Sequence, residues 1–170
     1  MTMPSIEIRP ARASDTPLIL ALINGLAGYE RLASAVVATE ESVRRSLFGE
    51  RPEAEVLIAE IGGEPAGFAL FFHNYSTFLA RRGLYLEDLF VMPSFRGHGI
   101  GTKLLARLAA LAVERDCGRF EWSVLDWNSD AIGFYRALGA ESMDDWTTFR
   151  LTGDALAALA QREPRSDTAT

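Results

Sequence analysis

The stretch from Leu86 to Thr102 places a strand, a glycine-rich turn and a helix start in immediate succession. Its apolar strand is interrupted by Glu87 and Asp88, and the turn has the pattern Arg-Gly-x-Gly-x-Gly before a Leu- and Ala-rich helix. A glycine-dense turn at a helix start presents backbone N–H groups to an anion, and the helix dipole adds about half a positive charge there. The segment therefore predicts a pyrophosphate-binding turn beside an acidic pocket wall.

Hydrophobic periodicity and turn signals predict the element order β-α-α-β-β-β-α-β-α-β. Three consecutive strands indicate an antiparallel meander, and the strand–helix–strand units after residue 84 indicate a parallel part. We therefore expect an α/β (mixed α+β) fold with a central mixed, mostly antiparallel sheet flanked by helices. The predicted strands are Ile6–Arg9, Val56–Ile61, Gly67–Phe72, Leu84–Val91, Arg119–Leu125 and Trp146–Leu151.

The predicted helices begin at capping residues and end at glycines or polar residues. Their expected ranges are 14–28, 39–48, 99–115, 128–139 and 154–161. Thr39 can cap the second helix, but Ser42 stands where a capping box would carry an acidic residue. No linker divides the chain, so we expect one domain over residues 1–162 and a disordered polar tail over residues 163–170.

The composition narrows the classes of partner. The 170 residues are 48% hydrophobic and carry a formal net charge of −6, which argues against nucleic acid as a partner and suits a cationic small molecule, although many inert surfaces are equally acidic. Cys117 is alone, and no His, Cys or Asp spacing suggests a metal. The start has no leader pattern, and no apolar run approaches the roughly 20 residues of a membrane span. We therefore expect a cytoplasmic protein with no membrane partner.

The segment from Arg96 to Thr102 can be compared with three kinds of glycine-rich turn. A Walker-type loop needs G-x-x-x-x-G-K-[ST], which is missing, and a dinucleotide fingerprint fails because Thr102 occupies its last position. The pattern Arg-x-x-Gly-x-Gly is met by Arg96, Gly99 and Gly101. A helix start that binds no ligand remains the alternative for the turn alone.

A second informative segment begins at Asn128, whose side chain can cap a helix. The pattern Asn-x-x-Ala-x-x-Phe-Tyr-x-x-x-Gly-Ala follows from Asn128 to Ala140 and includes Ala131 and Tyr135. An isolated Tyr on an apolar helical face would ordinarily be a packing residue, but this spacing after a glycine turn is more specific.

Together, these two segments resemble the coenzyme-binding motifs of the GNAT superfamily of N-acetyltransferases. The resemblance is closest to the diamine branch, which includes the spermidine/spermine and thialysine acetyltransferases, and it covers roughly residues 5–153. It implies the GNAT acyl-CoA N-acyltransferase fold, acetyl-CoA as co-substrate, no metal, a small-molecule amine as acceptor, and a homodimer.

The resemblance also implies roles for individual residues. The backbone of Leu89, Phe90 and Val91 would pair with the pantetheine arm. Asn128 and Ala131 would lie near the thioester, and Tyr135 would be the catalytic acid that protonates the leaving thiolate. The pyrophosphate would be held by Arg96, Gly97, His98, Gly99, Ile100, Gly101 and Thr102. The amine pocket would be lined by Tyr29, Glu30, Glu87, Asp88, Glu121 and Trp122.

Some substrate-facing positions depart from the animal polyamine enzymes. Asp126 stands where a Glu is expected, and Phe78 stands where a Trp is expected. The amine therefore stays open between a di- or polyamine, an amino-acid-like amine such as thialysine, an antibiotic and a protein amine. A coenzyme-binding module without activity is the alternative outside catalysis. Because strand neighbours face opposite sides, Glu87 and Asp88 are expected on different faces unless a bulge intervenes, and Glu87 is favoured for the substrate.

Overall fold

The computed structural model describes residues 5–163. The chain forms two compact units, Met1–Ser123 and Val124–Thr170. The single domain expected over residues 1–162 stays a prediction. The tail expected over residues 163–170 lies outside the described residues except for Glu163.

A five-stranded sheet forms the first unit, with the strands side by side in chain order. Neighbouring strands run antiparallel, except that the last pair is parallel. This arrangement confirms the predicted mixed, mostly antiparallel sheet. The strands are β1 (Ile6–Pro10), β2 (Glu55–Ile61), β3 (Glu64–Ser76), β4 (Arg81–Val91) and β5 (Phe120–Trp122).

Three α-helices accompany the sheet in the first unit: α1 (Thr16–Tyr29), α2 (Glu40–Phe48) and α3 (Ile100–Glu114). At the start of α2, the Thr39 hydroxyl accepts from the Ser42 N–H at 3.2 Å and the Ser42 hydroxyl accepts from the Thr39 N–H at 2.9 Å. A serine thus completes the capping box that sequence reasoning reserved for an acidic residue. Helix α1 ends at Tyr29, one residue beyond the glycine expected to close it.

The two faces of the sheet carry different helices. Phe68 and Phe90 belong to a buried cluster with residues of α1 and α2. Phe71 and Leu86 lie opposite one another in the ladder on the other face, which α3 covers through its contacts with β3 and β4. The alternation of side chains along each strand therefore buries both faces, which agrees with the long apolar runs in the sequence.

A β-bulge interrupts the ladder between β3 and β4. Leu86 lies opposite Phe71, and Asp88 lies opposite Leu70, so Glu87 is an extra residue with no partner of its own. Such a bulge bends the strand and changes the direction of its side chains. It places Asp88 on the sheet face that packs against α1, whereas Leu86 faces α3.

Helices α4 (Ser129–Ala137) and α5 (Gly153–Ala160) belong to the second unit. The strand predicted over Trp146–Leu151 was wrong, because the structure has no strand within residues 124–163. A strand needs a neighbour to receive its backbone hydrogen bonds, and no partner strand lies within the described part of this unit. Phe149 is 92% exposed there, so its alternating pattern has no core to face.

Over residues 5–163, no helix has the length and apolarity needed to cross a membrane. The same residues contain no group of three or more His, Cys, Asp or Glu side chains that could hold a metal ion.

Candidate active site

An acidic cluster, formed by Glu30, Glu87 and Asp88, lies where the end of α1 meets β4. Glu30 is the C-terminal cap of α1, and its backbone N–H donates to the Leu26 carbonyl at 2.9 Å. Glu87 is the bulged residue of β4, and Asp88 follows it on the face that packs against α1. The two neighbouring carboxylates were expected on different faces unless a bulge intervenes, and the structure has that bulge.

Burial, together with the negative charges of Glu87 and Glu30, raises the pKa of Asp88 to about 6. Burial also raises the pKa of Glu30. Within the described residues, no salt bridge or hydrogen bond reaches the Asp88 carboxylate. A cation placed in this cluster would relieve both the burial and the repulsion, so the cluster suits a positively charged ligand.

The second feature of the site is a free edge on β4. Strand β5 pairs with β4 only at Leu84, Tyr85 and Leu86. The Met92 N–H donates to the Ala66 carbonyl at 2.8 Å, which makes Gly67 and Val91 a non-hydrogen-bonded pair. The backbone groups of Val91, and by alternation those of Leu89, therefore point away from β3 to an edge that no strand of the first unit covers. This arrangement is the one expected for a ligand that pairs as an additional strand.

The glycine turn after β4 contains two residues in the left-handed backbone region. Gly97 and Gly99 have φ angles of 80° and 78°, in the left-handed region that side chains disfavour. The His98 Nδ1 lies 3.0 Å from the Arg96 carbonyl, and because a carbonyl only accepts, Nδ1 carries the proton in that hydrogen bond. His98 is exposed, and its hydrogen bond to the Arg96 carbonyl lies within the turn.

Helix α3 starts from this turn, and the first backbone N–H groups of the helix have no acceptor within it. Gly99 is the N-terminal cap and supplies no side-chain hydrogen bond. Ile100 is 1% exposed and anchors the helix start in the core, whereas Thr102 is exposed. The N–H groups of Ile100, Gly101 and Thr102 therefore remain directed along the helix axis toward the turn, as an anion-binding helix start requires. The residues present fit a pyrophosphate group.

The side chain of Arg96 contacts β4 and the end of α1. Its Nε donates to the Val91 carbonyl at 3.0 Å. Its guanidinium carbon lies 4.8 Å from the centre of the Tyr29 ring and 5.8 Å from that of Phe90. Sequence reasoning missed these contacts, because a motif gives the position of a residue and not the direction of its side chain.

Two residues predicted for the amine pocket lie on β5, which joins β4 through the parallel pairing. The Glu121 carboxylate lies 2.7 Å from the Arg119 Nε and accepts from the Asn74 amide at 3.2 Å. Trp122 packs its ring 4.9 Å from that of Phe120. Glu121 is thus already compensated by a cation. Its contact with a substrate, and that of Trp122, stay predictions.

In the second unit, Asn128 caps α4. Its side-chain oxygen accepts from the Ala131 N–H at 3.3 Å, as the sequence predicted. Tyr135 lies seven residues after the cap, on the same side of the helix, with its ring 5.4 Å from that of Phe134. The coenzyme contacts of Asn128, Ala131 and Tyr135, and the acid role of Tyr135, stay predictions.

Sequence reasoning left a bulge at Glu87 and Asp88 open and did not predict it. An uninterrupted strand would place Leu84, Leu86, Asp88 and Phe90 on one face. The bulge moves Asp88 and Phe90 to the face opposite that of Leu84 and Leu86, so the four residues do not share one face.

Comparison with known proteins agrees with this geometry. The model of the acetyltransferase (GNAT) family matches residues 26–140. The thialysine N-epsilon-acetyltransferase of Mus musculus is 40% identical over 94% of this chain and 100% of its own length. The L-ornithine N5-acetyltransferase of Arabidopsis thaliana is 36% identical over 90% of this chain and 87% of its own.

Solved structures share the fold. An integron cassette protein from V. cholerae superposes with a TM-score of 0.77 and 27% identity, over 92% of this chain and 98% of its own. An aminoglycoside acetyltransferase from an uncultured soil sample superposes with a TM-score of 0.72 and 19% identity, over 86% of this chain and 95% of its own.

The resemblance based on the glycine turn and the Asn128 segment is confirmed, and so is the assignment to the N-acetyltransferase enzymes. The family match spans the free edge of β4, the glycine turn and the start of α3. The chain belongs to the GNAT family of acetyltransferases.

Proposed function

We propose that this enzyme transfers the acetyl group of acetyl-CoA to a primary amine of a small di- or polyamine, by direct attack of the amine on the thioester. The observation that carries this proposal is the acidic cluster of Glu30, Glu87 and Asp88 beside the free edge of β4. Three carboxylates close together suit a substrate that brings more than one positive charge.

The free edge and the turn support the coenzyme part of the proposal. Leu89 and Val91 would pair with the pantetheine arm, and the first amides of α3 would receive the pyrophosphate. Acetyl-CoA supplies an activated acetyl thioester when bound. The chain's own residues hold it, orient the amine and move protons.

The amine must lose a proton before it attacks. The pKa of an alkylamine is about 10.4, so pH 7 lies about 3.4 units below it. Holding the amine neutral at pH 7 therefore costs about 4.6 kcal/mol. Asp88, with a pKa raised to about 6, is a better acceptor for that proton than an ordinary carboxylate. Because a nearby negative charge also favours the ammonium form, we expect the proton to leave through water to a carboxylate slightly remote from the nitrogen.

A second candidate acceptor is an amino-acid side-chain amine. The relatives named for thialysine and L-ornithine acetylation support it. Such a substrate carries its own carboxylate, which the acidic cluster would repel, so the two candidates differ in the charge that surrounds the reacting amine.

A panel assay tests the proposal. Acetyl-CoA binding is measured by calorimetry, and thiol release is then followed with 1,3-diaminopropane, spermidine, thialysine, L-ornithine and propylamine. We expect saturable binding, with the highest kcat/KM for the di- or polyamines. Highest kcat/KM for thialysine or ornithine would favour the second candidate. Binding without turnover on any amine would leave a coenzyme-binding module, and absence of binding would refute both.

We also propose a cytoplasmic homodimer, as the family resemblance implied. Light scattering coupled to gel filtration would give twice the 18.7 kDa chain mass for a dimer. A mass of one chain, unchanged by acetyl-CoA, would contradict it.

A further inference from the structure

Arg96 connects three parts of the first unit: the glycine turn, the free edge of β4 and the end of α1. It begins the glycine turn, its Nε donates to the Val91 carbonyl at the free edge of β4, and its guanidinium lies 4.8 Å from the centre of the Tyr29 ring. Tyr29 is the last residue of α1 and directly precedes Glu30 of the acidic cluster.

These contacts depend on the shape of the guanidinium as well as on its charge. A guanidinium can donate from its edge while its flat face lies on an aromatic ring, and a lysine ammonium has no such face. Tyr29 is 41% exposed at the end of α1, and the stacked guanidinium restricts the positions open to its ring.

We propose that Arg96 is a positioning residue for the amine: it couples the coenzyme turn to the acidic cluster by holding Tyr29, and with it the adjoining Glu30, at the end of α1. This role rests on the proposed function. It adds a task for the side chain beyond any contact with the pyrophosphate, and it links the free edge of β4 to the amine pocket through one residue.

The test compares Arg96→Lys, Tyr29→Leu and the double variant. Arg96→Lys keeps a positive charge near the turn but loses the planar stack, so we expect the KM for the diamine to rise about 5- to 20-fold. The dissociation constant for acetyl-CoA should change less than about 3-fold, because a lysine still serves a phosphate as a point charge. Once Tyr29 is Leu, adding Arg96→Lys should raise the amine KM by no more than about 2-fold.

Arg107→Lys is the matched control, because Arg107 is an exposed arginine of α3 that pairs with Glu114 and lies outside the proposed site. It should leave both constants unchanged. An amine KM within 2-fold of wild type for Arg96→Lys, or effects that multiply in the double variant, would overturn the positioning role. Arg96→Met, which removes the charge as well, should raise the amine KM at least as much, and a smaller rise would also overturn it.

The outcomes separate this inference from the proposed function. A wild-type enzyme that transfers acetyl to no amine refutes the function. A wild-type enzyme that does so, with independent effects of Arg96 and Tyr29, refutes only the coupling.

Discussion

At the scale of single residues, the buried carboxylate of Asp88 favours binding of a cationic amine but lowers the free energy of unfolding. Its pKa is raised from 3.8 to about 6, chiefly by burial, so the folded state holds its proton over a pH range in which the unfolded chain has released it. Stability then falls as pH rises from about 4 to 6, because the native state binds more protons there than the unfolded state. Above pH 6 the full cost of ionising the buried Asp88 carboxyl is present. This cost lowers the free energy of unfolding by at most about 3 kcal/mol, at 1.36 kcal/mol per pKa unit.

We therefore predict that Asp88→Asn raises the free energy of unfolding at pH 7.5 by about 1–3 kcal/mol. The gain should vanish below about pH 3, where Asp88 is protonated in both states. Urea denaturation at the two pH values measures it. Glu7→Gln on β1 removes the charge of an exposed carboxylate and is the control. Equal gains for the two variants would point to net charge and not to Asp88.

The same substitution should impair amine binding. Asp88→Asn removes a negative charge from the acidic cluster, and we predict a rise of about 10-fold in the KM for a diamine at pH 7.5, which corresponds to about 1.4 kcal/mol. In the wild type, kcat/KM should fall as pH drops below about 6, because protonation removes the same charge. A pH profile that keeps this limb in Asp88→Asn would assign it to another group.

Tyr135 permits a separate test of proton donation. A thiol with a pKa near 8.5 leaves at modest cost, so help from a phenol is worth at most 10²–10⁴. We predict that Tyr135→Phe lowers kcat by about 10–1000-fold and leaves acetyl-CoA binding nearly unchanged, as measured by turnover and calorimetry. Unchanged turnover would remove Tyr135 from the chemistry.

The sequence predicted the residue types of the candidate site better than the directions in which their side chains point. The glycine turn, the Asn128 cap and the acidic pair at β4 were all identified. The placement of Arg96 over Tyr29 was not, because it depends on where α1 ends relative to β4, and that distance is set by packing across the sheet.

At the scale of elements, the start of α3 depends on glycine at the turn. Gly99 has a φ of 78° at the N-terminal cap, a conformation that costs a residue with a side chain about 1–2 kcal/mol. We predict that Gly99→Ala destabilises the fold by about that amount and weakens acetyl-CoA binding at least 10-fold. Thermal denaturation and calorimetry measure the two effects.

Gly28→Ala is the control for that substitution. Gly28 lies inside α1, and no atom lies within 4 Å of the position that an alanine methyl group would take, so alanine should stabilise by about 0.5–1 kcal/mol. Equal effects of the two substitutions would contradict the role of the left-handed turn.

Helices and strands were predicted correctly where the hydrophobic periodicity of the segment was sufficient. The prediction failed where a strand depends on pairing with a neighbouring strand. The helices α1 and α3 and the central strands follow from periodicity. Trp146–Leu151 alternates like a strand but has no strand partner among residues 124–163, and alternation alone carries no information about a neighbour. The length of β5, three residues where seven were expected, is limited by its short pairing with β4 in the same way.

At the scale of the whole molecule, the net charge of −6 affects how amines arrive. A negative protein attracts cations over distances that salt shortens to about 8 Å at physiological ionic strength. We predict that kcat/KM falls as salt rises from 25 to 500 mM, most steeply for spermidine, less for 1,3-diaminopropane and least for propylamine. Steady-state kinetics at several salt concentrations give the three slopes. Equal slopes would show that substrate charge has no part in recognition.

The bulge in β4 has a consequence for how this strand tolerates change in length. Since Leu86 and Asp88 already lie opposite consecutive residues of β3, Glu87 is an inserted residue in a ladder that is complete without it. Deleting Glu87 alone would leave every other pairing in phase, whereas deleting Leu89 would turn the end of the strand over and expose Phe90. The fold can lose Glu87, and only the chemistry at the end of α1 would register its absence.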